Sequence, residues 1–381
     1  MRIALLAPTY WPEVTRGSER VVHDLAVLLA GRGHDVTLLT SHPGAGTVTV
    51  EEGVRVVRDR RPRKLDRLRF YEDQVETAPA QIARMIRGDF DVAAAFHNAS
   101  AWAAVRARRL GGPPVAFCYH GLPTRSYLVD RRYRIEMMRA AIDGAAMTTV
   151  LSEAAAVAMR RWLQCEARVL PAGIFTESFA VDRVSPENPT LICAASLGDP
   201  RKRAQLLFSA FERLRGRLPD VRLQVVATRD PVLSRDRIEL PDGAEWVAPD
   251  PVQAGRGIAE LFANATVSVL PAVGEAQGLV LVESLAAGTP AIAARSGASP
   301  EALDSERIGV LFEADDEGSL VEALGRGLEL GADPATTDAC RERAAAYDWS
   351  RRIDAYEDAL AEVAATARPR ASGGLRAARR A

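Results

Sequence analysis

Short apolar runs alternate along this chain with longer segments in which apolar residues recur every three or four positions. Runs of four or five residues, such as Ile3–Ala7 and Val267–Leu270, are typical of buried strands. The spacing of Val22, Leu25 and Leu29 would instead place three apolar side chains on one face of a helix. Because strands and helices alternate, the pattern predicts parallel sheets with helices on both faces.

The runs that predict strands fall into two groups, and a polar, proline-containing segment from Glu177 to Asn188 separates them. The first group is Ile3–Ala7, Val36–Leu39, Val54–Val57, Val92–Phe96, Val115–Tyr119, Met147–Leu151 and Ala167–Leu170. The second group is Leu191–Ala195, Leu223–Ala227, Glu245–Ala248, Val267–Leu270, Ala291–Ala294 and Val310–Phe312. The sequence therefore predicts an α/β protein with two doubly wound domains and a linker between them.

Composition limits the class of protein. A length of 381 residues suggests two domains, and 48% hydrophobic with 26% charged residues is ordinary for a globular protein. A net charge of −1 argues against nucleic acid as the main partner. No stretch approaches the ~20 apolar residues of a membrane span. The cysteines show no CxxC pairing, which indicates a reducing compartment and predicts a cytoplasmic protein: Cys118, Cys165, Cys193 and Cys340.

Candidate ligand-binding residues should follow the strands, because doubly wound sheets bind ligands at the carboxyl ends of their strands. After Val267–Leu270, Gly278 opens a helical pattern whose N-terminus would suit a phosphate. Glu275 in the preceding loop and Glu283 in the helix supply carboxylates, which only accept hydrogen bonds. A phosphate accompanied by many hydroxyl donors describes a nucleotide sugar.

The spacing Glu275-x7-Glu283, followed by Ala287-Gly288-Thr289-Pro290, resembles the retaining glycosyltransferases of the GT-B fold, in particular family 4. The resemblance implies two Rossmann-like doubly wound domains facing a cleft. It also implies that Glu275 contacts donor-sugar hydroxyls, that Glu283 holds the ribose diol, and that Gly278 and Leu279 turn N–H groups toward the diphosphate or the sugar. Gln277 is assigned to the donor site with them, although Ala276-Gln277 departs from the Gly-aromatic pair common in the family.

A basic loop supplies the cations expected near the diphosphate. Lys202 matches a phosphate-clamping lysine of the family, whereas Ser196 stands where an arginine is expected. Arg201 or Arg203 could supply the missing charge. Cations are disfavoured at a helix N-terminus, so a basic loop at this place favours a phosphate role over a merely solvated one.

The first domain contributes a loop that resembles the family's glycine loop, with Ser18 in place of a second glycine. Gly17 and Ser18 would lie against the donor diphosphate, and Arg16 would lie on the acceptor side. From the residues alone, Ser18 also suits the N-cap of the following helix.

Histidines follow two strands of the first domain. His97-Asn98 comes after Val92–Phe96 and is assigned to the acceptor side, and His120-Gly121 comes after Val115–Tyr119. The resemblance places a histidine near the transferred sugar where His120 stands. His34, in a helix-to-strand turn, is interpreted as structural.

The predicted activity is transfer of a sugar from a nucleotide diphosphate to an acceptor hydroxyl with retention of configuration. His120, Lys202 and Glu275 are the catalytic candidates, and the leaving phosphate can take the acceptor proton. UDP-sugar is the first choice of donor and GDP-sugar the second. No DxD pair stands at a strand end, so neither a metal nor a further cofactor is expected. The alternatives are a noncatalytic nucleotide-sugar-binding protein and a GT-B epimerase, and a small natural product, a lipid-linked sugar and a glycan remain open as acceptors.

The predicted domains are residues 1–178 on the acceptor side and 189–350 on the nucleotide-sugar side. A C-terminal helix at 351–366 would cross back to the first domain, and a basic tail at 367–381 would be disordered. The arginine-rich segment 55–69 is interpreted either as a solvated loop or as a contact with an anionic acceptor or the inner membrane face.

Overall fold

The computed structural model describes residues 1–14, 16–60, 75–130, 132–226, 238–248 and 256–367. In this part of the chain the strands form two sheets, in the order β3-β4-β2-β1-β5-β6-β7-β8 and β11-β10-β9-β12-β13-β14. The strands of the first sheet are β1 (Arg2–Leu6), β2 (Asp35–His42), β3 (Thr47–Glu51), β4 (Val54–Arg60), β5 (Val92–Ala95), β6 (Val115–Tyr119), β7 (Met147–Val150) and β8 (Arg168–Val169). Those of the second are β9 (Thr190–Cys193), β10 (Arg222–Val226), β11 (Ala244–Val247), β12 (Val267–Leu270), β13 (Ala291–Ala294) and β14 (Gly309–Phe312).

Helices cover both sheets. The helices along the first sheet are α1 (Gly17–Gly31), α2 (Ala78–Arg87), α3 (Asn98–Arg109), α4 (Arg125–Asp130), α5 (Arg132–Gly144) and α6 (Glu153–Leu163). The helices along the second are α7 (Ala204–Arg215), α8 (Arg256–Ala263), α9 (Leu279–Ala286), α10 (Ser299–Ala302), α11 (Glu317–Ala332) and α12 (Ala335–Ala345), and α13 (Trp349–Ala365) follows them. Two apolar clusters pack on opposite faces of each sheet, which is why the strands read as continuous apolar runs. The two Rossmann-like doubly wound domains predicted from the sequence are thus confirmed.

Strand order fixes where ligands can bind. In the first sheet β1 pairs in parallel with both β2 and β5, so the chain direction around the sheet reverses there. In the second sheet β9 lies between β10 and β12, which is the equivalent point. A crevice opens at the carboxyl ends of the strands at such a switch point. The loops after β1, β5, β9 and β12 therefore border the expected binding crevices.

Strand β3 is an element that the apolar pattern did not predict. It pairs antiparallel with β4 at the edge of the first sheet, through a turn at Glu52 and Gly53 with left-handed backbone. Val48 and Val50 on this strand are more than half exposed. An edge strand without a buried face lacks the apolar signal on which the sequence prediction rested.

Helix α13 returns to the first domain and packs into its core through Trp349, Ile353 and Tyr356. It begins at Trp349, two residues before the predicted start, because Asp348 caps it by accepting a hydrogen bond from Ser350 N at 2.9 Å. The chain crosses between the sheets a first time near Ile174, and Ile174 and Asp348 form a parallel bridge. The two crossings therefore lie side by side.

The basic segment is described only up to Arg60, and its residues 61–69 lie outside the described ranges, as do residues 368–381 of the tail. Arg58 in β4 is buried and ion-paired with Glu51 at 2.6 Å and Glu13 at 3.0 Å. It therefore takes no part in any exposed basic surface. Within the described ranges, no helix combines the length and apolarity that crossing a bilayer requires.

Candidate functional site

The loop after β12 is shaped by glycines that permit its backbone path. Gly278, at the N-cap of α9, has a φ of 75°, and Gly297 has a φ of 58° in the neighbouring loop. A Cβ atom on Gly297 would collide with the backbone of Glu275, whose carbonyl accepts a hydrogen bond from Ala298 N at 2.9 Å. Tight packing of the two loops thus fixes Glu275 beside the N-terminus of α9.

Lys202 and Glu275 form an ion pair at the switch point of the second sheet. The Lys202 ammonium Nζ lies 2.6 Å from Glu275 Oε1, and each side chain is 16% exposed. The two loops are also joined by a hydrogen bond from Val273 N to the carbonyl of Arg201 at 3.0 Å. One cation, one carboxylate and the N-terminus of α9 therefore lie together at the carboxyl ends of β9 and β12.

The arginines next to Lys202 have other partners. The Arg203 guanidinium donates to Asp315 Oδ1 at 2.6 Å, and that of Arg201 donates to Asp199 Oδ2 at 2.7 Å. Arg203 itself has left-handed backbone, with a φ of 52°, at the junction between the loop and α7. Lys202 is thus the member of this basic loop that meets Glu275.

Glu283, in α9, faces the first domain. Its Oε1 accepts from Arg20 Nη1, in the first turn of α1, at 2.6 Å, and its side chain is 13% exposed. Burial raises the pKa of the Glu283 carboxyl, and the Arg20 charge opposes that rise. The first domain therefore reaches the carboxylate that the sequence assigns to the donor ribose.

The Gln277 side chain also bridges the domains. Its amide accepts from Ala172 N at 2.9 Å and donates to Ala172 O at 2.7 Å, so it pairs with that residue as a neighbouring backbone would. The residue is buried. Because both ends of this buried amide are engaged with Ala172, the contacts favour a role in joining the domains over the donor contact assigned to Gln277.

Ser18 and His120 lie together on the side of the cleft that the first domain forms. Ser18 is the second residue of α1, Arg16 is the N-cap, and the Ser18 hydroxyl lies 3.2 Å from His120 Nδ1. The N-cap assignment of Ser18 is therefore wrong, because the helix begins earlier than expected, at Gly17. Gly17 faces the methyl group of Leu279 in α9, at 3.6 Å from the position that its own Cβ would occupy.

The His120 imidazole is uncharged near neutral pH. Burial lowers the pKa of His120 to about 4, and the ring packs edge-on against Phe96 at 5.1 Å. Among the described residues nothing hydrogen-bonds to its buried Nε2. A buried nitrogen without a partner is costly, so this atom is available for a ligand.

A small pocket lies at the carboxyl ends of β1 and β5. Glu19 is buried there, with its Oε1 accepting from Thr9 Oγ1 at 2.8 Å and from Arg16 Nη2 at 3.0 Å. His97 lines the same pocket, whereas Asn98 is fully buried at the start of α3 and its Oδ1 accepts from Ala99 N. The structure thus brings Arg16 and His97 together and leaves Asn98 outside the pocket lining.

Sequence reasoning missed several residues that connect the two domains. The Glu301 carboxylate, in the second domain, accepts from Glu153 N at 3.0 Å and Ala154 N at 2.7 Å, at the start of α6 in the first. Arg20 was not singled out at all. Only its place one turn after Gly17 could have suggested a role at the cleft.

Both halves of the chain match models of glycosyltransferase families. A model described as Glycosyltransferase Family 4 matches residues 15–178, and one described as Glycosyl transferases group 1 matches residues 188–329. A phosphatidyl-myo-inositol mannosyltransferase of Mycolicibacterium smegmatis is 29% identical over 372 residues, which are 92% of this chain and 91% of that protein. A D-inositol 3-phosphate glycosyltransferase of Saccharomonospora viridis is 31% identical over 204 residues, 45% of this chain and 47% of that protein, so the match spans about half of that relative.

Solved structures show the same architecture. Sucrose-phosphate synthase from Thermosynechococcus elongatus superposes with a TM-score of 0.81 at 22% identity, covering 96% of this chain and 99% of that one. HepE of Anabaena in complex with UDP superposes with a TM-score of 0.72 at 15% identity, covering 95% of this chain and 100% of that one. The two domains have the GT-B fold, and the family models and full-length relatives identify a glycosyltransferase that uses a nucleotide sugar. The chain belongs to the family 4 glycosyltransferases.

Proposed function

We propose that this glycosyltransferase moves a hexose from a UDP-sugar to an acceptor hydroxyl with retention of configuration. The observation that carries the proposal is the Lys202–Glu275 ion pair beside the N-terminus of α9. A fixed ammonium and a helix N-terminus both stabilise negative charge developing on a departing diphosphate. The Glu275 carboxylate, held by the same ammonium, would accept hydrogen bonds from hydroxyls of the transferred sugar.

His120 would act from the first domain as a neutral hydrogen-bonding group. With a pKa of about 4 it is a weak base near neutral pH, so it suits contact with a sugar hydroxyl better than removal of a proton. This supports a reaction in which the leaving phosphate itself takes the acceptor proton. Catalysis then depends on positioning and on charge stabilisation by Lys202.

Glu283→Ala should weaken UDP binding, because the ribose diol would lose a carboxylate acceptor. A hydrogen bond to a charged group is worth about 1.5–3 kcal/mol, which corresponds to roughly a 10- to 150-fold rise in Kd. Isothermal titration calorimetry with UDP measures this change. Glu313→Ala, which removes an exposed carboxylate paired only with Arg295 among the described contacts, serves as the matched control. Equal UDP affinity in Glu283→Ala and wild type would remove the ribose assignment.

The anomeric configuration of the first-formed product should match that of the donor. NMR of the anomeric proton during the first turnovers distinguishes retention from inversion before any later isomerisation. An inverted product would contradict the proposed mechanism, since inversion needs a base on the opposite face of the sugar. Glu19 would then be the residue to test, because nothing in the described chain hydrogen-bonds to its buried Oε2.

The acceptor is best sought among hydroxyl-rich compounds. Relatives that align over most of this chain carry phosphatidyl-myo-inositol in their names, which favours a polyol or a lipid-linked polyol. We would offer the purified protein UDP-glucose, UDP-N-acetylglucosamine and GDP-mannose, each with myo-inositol phosphate, phosphatidylinositol and simple glycosides. Transfer to one of them identifies the reaction. Isomerised donor without transfer would indicate an epimerase, and binding without turnover would indicate a noncatalytic protein.

A further inference from the structure

Arg20 extends from the first domain to a carboxylate of the second. It lies in the first turn of α1, and its Nη1 donates to Glu283 Oε1 at 2.6 Å. The Arg20 side chain is about three-quarters buried, so the ion pair is shielded from water and from salt. A buried pair with short geometry fixes the orientation of both partners, unlike an exposed one.

The same guanidinium also lies near both places where the chain crosses between the domains. Its Cζ lies 5.8 Å from the centre of the Phe179 ring, in the turn that follows the first crossing between the domains. Its Nε lies 3.9 Å from Asp24 Oδ2, which in turn accepts a hydrogen bond from Trp349 Nε1, where the chain crosses back. Arg20 therefore contacts both Glu283 of α9 and Phe179, which follows the first crossing between the domains.

Two charged groups act on Glu283, and both come from α1. Arg20 favours the ionised carboxylate, while Asp24 and burial favour the protonated one, so removing Arg20 would leave only influences that raise the pKa of Glu283. Arg20 uses Oε1 of Glu283, which leaves Oε2 for a ligand hydroxyl. A protonated or misoriented carboxyl would be a poorer acceptor for a diol.

We propose that Arg20 is a positioning residue that holds Glu283 ionised and aimed at the nucleotide ribose when the two domains are closed. This inference rests on the proposed function, since it takes Glu283 as the ribose ligand. It adds that nucleotide affinity depends on a residue of the acceptor-side domain, so donor binding and cleft closure are coupled. The ligand is the ribose of a nucleoside diphosphate, which Glu283 of the second domain would bind and which Arg20 of the first domain would affect only through that carboxylate.

The test is the pH dependence of UDP affinity in the full-length protein, measured by calorimetry between pH 5 and 8. GDP replaces UDP if wild type binds only GDP. Arg20→Ala should weaken binding about tenfold near neutral pH, within the usual range of coupling between sites. Its affinity should also begin to fall at a higher pH than in wild type, because a carboxyl with a raised pKa is protonated earlier as pH drops. Titration of UDP itself is common to both proteins and cancels in the ratio of their affinities.

Arg32→Ala is the matched control. Arg32 lies at the other end of α1 and pairs with Asp354 and Glu357 of α13, far along the helix from Glu283. It should leave both the affinity and its pH profile unchanged. Arg20→Lys should restore part of the affinity and move the profile back toward wild type. It also replaces Arg20→Ala as the test variant if the alanine protein does not fold, with a smaller shift in the same direction.

The outcomes separate this inference from the proposed function. If Glu283→Gln binds UDP as wild type does, the ribose assignment fails, whatever Arg20 does. If Glu283→Gln binds weakly while the Arg20→Ala profile coincides with wild type, the ribose assignment stands and the role of Arg20 is refuted. Tighter binding by Arg20→Ala would also refute it, because Arg20 would then be competing with the nucleotide for the carboxylate.

Discussion

Replacing Lys202 with alanine should lower kcat by about 10²–10³, the scale of losing one preorganised group that stabilises developing negative charge. Lys202 is the cation of the basic loop that meets Glu275, and the arginine expected from the family is a serine, Ser196, in this chain. The substitution also leaves the Glu275 carboxylate without its ammonium partner, beside a departing phosphate of the same sign. Steady-state kinetics with the identified donor and acceptor measure the loss.

Affinity for the plain nucleoside should change little in Lys202→Ala, since the nucleoside lacks the diphosphate. Arg213→Ala is a suitable control, because Arg213 is an exposed cation on α7 whose partner is Glu317. Near-normal turnover in Lys202→Ala, together with inactivity of Arg201→Ala or Arg203→Ala, would show that the phosphate contact had been assigned to the wrong residue of the loop. Normal turnover in all three variants would separate this loop from the phosphate altogether.

Trp349→Ala should destabilise the first domain by about 3–5 kcal/mol, as expected for removing a buried tryptophan. The indole is almost fully buried, packs edge-on against Tyr356 at 5.8 Å and donates to Asp24. It also lies against Gly173, where any Cβ atom would overlap the ring, so the site cannot collapse easily around a smaller side chain. Denaturant titration measures the loss in the free energy of unfolding.

Trp102→Ala provides the comparison for that experiment. Trp102 lies on α3, is only half-buried and stacks with Arg106 at 4.9 Å, so its removal should cost much less. Trp349→Phe should fall between the two, because it keeps an aromatic ring but loses the hydrogen bond to Asp24. Equal stability of Trp349→Ala and wild type would mean that α13 contributes little to the first domain.

The sequence predicted correctly those features that depend on the residue pattern within a single strand, helix end or loop. Apolar runs such as Val115–Tyr119 and Val267–Leu270 appear as strands with the predicted bounds, because a strand buried on both faces needs every position to be apolar. Gly288, just past the end of α9, has the positive φ, 83°, that glycines after a helix commonly adopt. Glu275 and Lys202 were assigned to one site from separate loops, and the structure puts them in contact.

The contacts between domains were not predictable in the same way. Arg20 and Glu283 are 263 positions apart, and their contact depends on how two separately folded sheets are oriented. Periodicity within α1 or α9 carries no information about that orientation. Likewise, a glutamine such as Gln277 resembles any polar loop residue until Ala172 is placed beside it. Edge strand β3 escaped prediction for a different reason, since its exposed valines do not contribute to a core.

The adjacent crossings at Ile174 and Asp348 give the polypeptide a nested order. The chain leaves the first domain, forms the second, and then returns to the first. The two crossings are joined by a hydrogen bond from Ile174 N to the Tyr347 carbonyl at 2.9 Å. The second domain is thus an insert with neighbouring ends, and both junctions of a chimera can be made at one place. Recombination there would exchange one whole domain, and a functional chimera would have to keep the side-chain pairs that join the domains, such as Arg20–Glu283 and Gln277–Ala172.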